Sequence, residues 1–155
     1  QKSWESVHAD DIINILPGNL VDKPGADPPF RFVLNCRGIN GPYKKWKIKY
    51  EGAKTLPLTI TRNCWMICID LESGYDAVLF KAVSRGLFAI LITFEQDLLQ
   101  ELLDEGVIDS RHVKRTFKDG SAEVALQPLT LVQGWVNSCA IFTKLTRQLG
   151  RVWRK

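Results

Sequence analysis

Histidine and methionine are scarce in these 155 residues, with two of the first and one of the second. Cysteine occurs four times, at positions 36, 64, 68 and 139, and neither histidine lies near enough to a cysteine pair to suggest a zinc site. Cys64 and Cys68 fall in one predicted strand, where about 3.3 Å per residue places them roughly 13 Å apart. A disulfide wants Cα atoms within about 7 Å, so that pair is excluded. Four buried or half-buried thiols in a reducing intracellular compartment are the expectation, with nuclear, cytoplasmic and organellar settings all open. Long apolar runs are missing too. None approaches the length that spans a bilayer, and the apolar stretches near the start are broken by Asp10, Asp11 and Pro17, unlike a signal peptide. No membrane partner is expected. Internal repeats and low-complexity segments are also absent.

What is present suits one domain with a real core: 45% of residues are hydrophobic and 25% charged, ordinary values for a globular chain. A chain opening on Gln1 is expected to be a processed form, an excised piece or the ordered part of something longer. The net charge of +4 hides an uneven distribution. Residues 37–54 carry six cations and one anion, residues 144–155 five cations and no anion, and residues 95–109 six anions and no cation. Two basic surfaces and one acidic segment are therefore expected.

Hydrophobic periodicity places the elements. Residues 7–16 suit a short helix, and the Pro/Gly-rich stretches at 17–18 and 23–29 read as loop. Residues 30–36 alternate, with Phe30, Phe32 and Leu34 on one face and Arg31, Val33 and Asn35 on the other, which predicts a strand. Residues 65–70 alternate in the same way and predict a second. Residues 77–80 and 87–94 look extended, joined by a turn at 84–86. Leu98, Leu99, Leu102 and Leu103 form the apolar stripe of a helix over 96–105, with Gly106 as its C-cap. Asp109-Ser110 suits the cap of another turn, and Asp119-Gly120 a hairpin turn into a strand over 122–129. A last helix is predicted over 137–154. Its core face is Ile141, Leu145, Leu149 and Val152, and its opposite stripe Lys144, Arg147, Arg151 and Arg154.

Three segments carry chemistry. Asp70 closes the apolar strand of WMICIDLESGY (65–75), and a carboxylate at a strand end suits Mg²⁺-assisted phosphoryl transfer. In FRFVLNCRGIN (30–40), Arg31 and Arg37 offer the guanidinium fork that fits phosphate oxygens. In LVQGWVNSCAIF (131–142), Gln133-Gly134 turns the chain into the last helix, and a glycine there allows close backbone approach. Lys44, Lys45, Trp46, Lys47, Lys49 and Tyr50 interleave cations with aromatics, the composition that suits a nucleic-acid backbone and stacked bases.

In this order the three segments resemble the fingers and the first half of the palm of reverse transcriptases, of the gypsy-like and tyrosine-recombinase (DIRS-like) retroelement kinds. The resemblance spans residues 29–155 and implies an α+β fold, an antiparallel sheet packed by helices. Residues 1–29 become an N-terminal extension and the acidic helix near 95–118 an insertion. On that resemblance Asp70 corresponds to the metal-binding aspartate and Tyr75 to the steric gate under the sugar. Arg31 and Arg37 belong to the substrate-binding fingers, Arg31 touching the triphosphate, and Gln133 and Gly134 lie near the nucleotide. Three departures stand out. Asn35 replaces the family's usual aspartate, and Val132 and Cys139 replace prolines. The 63 positions from Asp70 to Gln133 also exceed the expected spacing.

The chain ends before the family's paired-aspartate motif, and one catalytic carboxylate cannot hold two metals. The expectation is thus a catalytically inactive, retroelement-derived domain. It would bind RNA or single-stranded DNA, or act as a scaffold, among the protein subunits of a larger ribonucleoprotein such as an organellar ribosome. No cofactor is implied for the chain as given, and Mg²⁺ only if it belongs to an active polymerase. Two alternatives stay open: a fragment of an active RNA-directed DNA polymerase, and a protein-only interaction module using the acidic helix.

Overall fold

In the computed structural model the described residues are 3–25, 29–49, 54, 57, 60–67 and 70–153. They form a mixed α+β fold with two small antiparallel sheets. The larger sheet is organised on the strand Ala122–Pro128. Its sequence AEVALQP buries Ala122, Val124 and Ala125, and a strand this apolar needs partners on both edges to satisfy its backbone.

In chain order the strands are β1 (Trp4–Ser6), β2 (Gly18–Asp22), β3 (Phe30–Leu34), β4 (Ile90–Phe94), β5 (Val113–Thr116) and β6, the Ala122–Pro128 strand. β4 pairs antiparallel with β6 from Ile90↔Leu126 to Phe94↔Ala122. The other edge of β6 is shared: β5 takes its first half and β1 its second, through Trp4↔Pro128 and Ser6↔Leu126. β2 and β3 form the second sheet, in register from Gly18↔Leu34 to Asp22↔Phe30. The segment read as an N-terminal extension thus supplies a strand to each sheet.

The helices are α1 (Arg37–Asn40), α2 (Ala82–Arg85), α3 (Gln96–Asp104) and α4 (Ser138–Trp153). Both long helices fall where periodicity predicts them. α3 ends as expected, with Gly106 at φ +67° and its N–H bonded to the Leu103 carbonyl at 3.0 Å. Asp109 caps the 3-10 turn Ser110–His112, its carboxylate accepting the Arg111 N–H at 2.9 Å. Of the helix expected over 7–16, only a 3-10 turn at Ala9–Asp11 forms. The extended stretch expected at 87–94 begins at Ile90, because α2 and a 3-10 turn at Gly86–Phe88 take the preceding residues.

Two apolar clusters hold the fold. The larger joins Leu16, Leu34, Cys36, Phe80, Phe88, Ile90, Leu131 and Val132, with Trp135, Tyr75 and Phe142 packed against it. The smaller sets Leu99 and Ile108 on Ala122 and Val124, so α3 carries its own core onto the sheet. No helix of the described residues is long and apolar enough to cross a membrane.

Three expectations are corrected. Of the thiols expected to be buried or half-buried, Cys36 is buried but Cys64 and Cys139 are exposed. Residues 64–67 form no strand, and Cys68 and Ile69 lie outside the described residues. Trp65 is 99% exposed and Ile67 87%. A strand apolar on both faces needs a neighbouring strand for its ladder and its burial, and no described strand pairs with this segment. The third correction concerns α4. Of its predicted core face, Ile141 packs against the larger cluster but Leu145, Leu149 and Val152 are exposed, and the helix turns Phe142 and Thr146 toward the cleft instead.

Candidate nucleic-acid interface and cleft

The turn of residues 133–134 is built by the backbone. Gly134 has φ +98°, and a Cβ there would stand 2.7 Å from the Leu34 carbonyl oxygen. Only glycine takes both the left-handed conformation and that approach to β3 without strain. Asn40, at the end of α1, clamps the turn: its Nδ2 donates to the Gly134 carbonyl at 2.9 Å, and its Oδ1 accepts the Val136 N–H at 2.8 Å. The first and third sequence segments are thereby tied together. Trp135 then enters the core, its ring 5.8 Å from Tyr43, 5.7 Å from Phe80 and 5.4 Å from Phe88.

Beside this turn lies a cleft of about 860 Å³. Arg31 from β3, Asp70 and Tyr75 from the second segment, and Gln133 from the third all line it. Tyr75 is seated edge-on against Phe142 of α4, ring centroids 5.3 Å apart. Gly74 lies so close that a Cβ would meet the Phe142 ring at 2.5 Å. Asp70 is exposed and accepts the N–H of Leu71 at 3.0 Å.

Lys23, Asp76 and Thr130 line the cleft as well and were missed by sequence reasoning. Asp76 follows Tyr75 directly, and its position was the one available signal. Lys23 reaches the cleft only because β2 pairs with β3, which no local pattern announces.

Two residues of the expected substrate-binding set stand elsewhere. Arg37 opens α1, exposed, with its N–H donating to Asn35 Oδ1 at 3.3 Å. Gly134 packs on Leu34 and Cys36 rather than on the cleft.

No group of three or more His, Cys, Asp or Glu side chains that could hold a metal occurs among the described residues. Asp70 and Asp76 are the carboxylates lining the cleft, and one oxygen of Asp76 accepts the Thr130 hydroxyl at 3.1 Å. The adjacent aspartates Asp10 and Asp11 lie on an exposed turn outside the cleft lining. These residues do not fit a two-metal centre, which needs further carboxylates around the ions.

The two basic segments meet. Asn137, buried at the start of α4, accepts the Trp46 N–H at 3.0 Å and donates to the Lys44 carbonyl at 3.3 Å. The Lys144 ammonium lies 4.2 Å over the Trp46 ring, and Arg147 donates to the Lys49 carbonyl. Lys44, Lys45, Trp46, Lys47 and Lys49 therefore run along α4 as one exposed ridge, continued by Lys144 and Arg151. Tyr50 and Arg154, expected in the same surface, lie outside the described residues. Among the described residues no ion pair joins these cations to the acidic segment 95–109; Arg111 alone pairs with it, through Asp109.

Burial pushes the Cys36 thiol up to about 11. The hydrogen bonds and charge of Arg111 hold the Asp109 carboxyl well below the usual carboxylate range. Compared with known proteins, the chain matches no protein-family model and no curated protein.

Proposed function

We propose that this chain is a reverse-transcriptase-like fingers and partial-palm domain, catalytically silent, that binds single-stranded RNA or DNA within a larger ribonucleoprotein. One observation carries the reading. Residues from three segments as far apart as positions 31, 70, 75 and 133 line a single cleft, and α4, which supplies Phe142 and Thr146 to that cleft, carries the basic-aromatic ridge on another side. Cations along a groove contribute by releasing counterions from phosphates. An exposed tryptophan adds a platform for base stacking. The cleft carboxylates Asp70 and Asp76 do not make a two-metal site, so no polymerase step is derived, and nucleic acid is held rather than extended.

Fluorescence anisotropy with labelled single-stranded RNA tests this directly. Lys45→Glu with Lys47→Glu should abolish binding while the thermal transition stays in place. Unchanged RNA binding in that variant, with loss of a protein partner instead, would make the ridge a protein-docking surface. Template-dependent primer extension, abolished by Asp70→Ala, would return the chain to the active polymerases.

A further inference from the structure

Among the described residues the outward face of α4 is amphipathic and exposed. Leu145, Leu149 and Val152, spaced i, i+4 and i+7, form an exposed apolar stripe, Val152 being 68% exposed. Lys144 and Arg151 run along its edge, also exposed. α3 presents the counterpart. It buries Leu99 in its own core and turns Leu98, 47% exposed, outward with Glu101 and Glu105, at i, i+3 and i+7. Exposed Val107 follows this face. Among the described residues, no ion pair engages Lys144, Arg151, Glu101 or Glu105. Each face thus combines a leucine-containing apolar strip with charges of one sign, and the signs are opposite.

We propose that the exposed face of α4 docks the α3 face of a second copy of this chain. Leu98 and Val107 of one copy would meet the Leu145–Leu149–Val152 stripe of the next, with Glu101 and Glu105 against Lys144 and Arg151. Charge complementarity selects this occupant. α3 and its flanks carry six anions and no cation over 95–109, whereas 144–155 carries five cations and no anion. The contact is heterologous, because the two faces differ. Each copy keeps one face free for another neighbour, and association runs to open chains or rings rather than stopping at a two-fold dimer. Lys144 and Arg151 also flank the ridge, so nucleic acid and a second copy compete for that edge.

Analytical ultracentrifugation of the full chain after nuclease treatment tests this. At low salt the weight-average mass should rise with concentration to at least twice the monomer value. At high salt, where the Debye length shrinks to about 3 Å near 1 M, it should fall toward the monomer. Glu101→Lys with Glu105→Lys should be monomeric, as should Lys144→Glu with Arg151→Glu. Mixing these two variants restores opposite charges across the contact and should restore the larger species, a rescue that misfolded variants would not give. A monomer at every concentration and salt would overturn the proposal, as would association lost on nuclease treatment or a mixture that stays monomeric. Lys45→Glu with Lys47→Glu should leave self-association intact, so failure of this contact and failure of RNA binding are separable.

Discussion

Gly134 is the residue at which a single Cβ does most damage. Its φ is +98°, and the Leu34 carbonyl oxygen lies 2.7 Å from where a Cβ would stand, so a β-branched residue has no strain-free state there. Gly134→Val should cost about 1–3 kcal/mol or more, lowering the melting temperature by roughly 2–4 °C per kcal/mol at this chain length. Differential scanning calorimetry checks it, and an unchanged transition would contradict the turn. Asp70 is the converse case. It is exposed and accepts a bond from the adjacent Leu71 N–H, so Asp70→Asn should shift stability by no more than about 0.5 kcal/mol. A larger drop in chemical denaturation would show that a structural partner holds it. Cys36 is kept as the thiol by burial, its pKa raised to about 11, and the thiolate is the form that reacts. Near pH 8.5, about the ordinary thiol value, iodoacetamide should alkylate exposed Cys64 well before Cys36. Because the Cys36 pKa is raised, its labelling should begin only as pH climbs toward that higher value or as the protein unfolds. Peptide mass spectrometry reads both sites, and equal rates would contradict the burial.

At the scale of elements, Asn137 links helix to ridge. Its two bonds to the segment carrying Lys44 and Trp46 replace a regular ladder that this segment lacks. Asn137→Ala should cost about 1 kcal/mol per lost bond and weaken RNA binding several-fold without removing any cation. Anisotropy beside thermal melting tests it, and full affinity in the variant would mean the ridge is held some other way. Elements with a strong local signal are legible in the sequence. α3 has its leucine stripe and Gly106; β6 has the Asp119-Gly120 turn before it; α4 has its 3.6-residue period. β1 and β2 are not, because WES becomes a strand only through β6, some 120 positions on, and GNLVD only by pairing with β3 across residues 23–29. The strand expected at 65–70 fails for the same reason, since alternation describes a face and does not supply the neighbour. For α4 the period holds and the rotation does not. Ile141 and Phe142 at its start pack against the core, Phe142 edge-on to Tyr75, while Leu145, Leu149 and Val152 further on stay exposed.

At the scale of the molecule, the charge segregation visible in the sequence becomes one ridge, because α4 and the segment at 44–49 lie side by side. The cleft is half legible: Arg31, Asp70, Tyr75 and Gln133 follow from motifs, while Lys23 arrives through the β2–β3 pairing and Thr130 through an isolated bridge to Leu79, and Arg37 and Gly134 fall outside. On the proposed function, Lys44, Lys45, Lys47, Lys49, Lys144, Arg147 and Arg151 act together on the phosphates of one strand. Each phosphate neutralised on a single strand contributes a slope of about −0.7 to log binding constant against log salt. If roughly four to seven of these cations engage, the slope for single-stranded RNA should lie between about −3 and −5. A titration of affinity against salt at fixed pH measures it in one experiment. A slope in that range, flattened by about 1.4 in the Lys45→Glu, Lys47→Glu variant if weak binding persists, is the predicted result; a slope near zero in the unaltered protein would contradict the account.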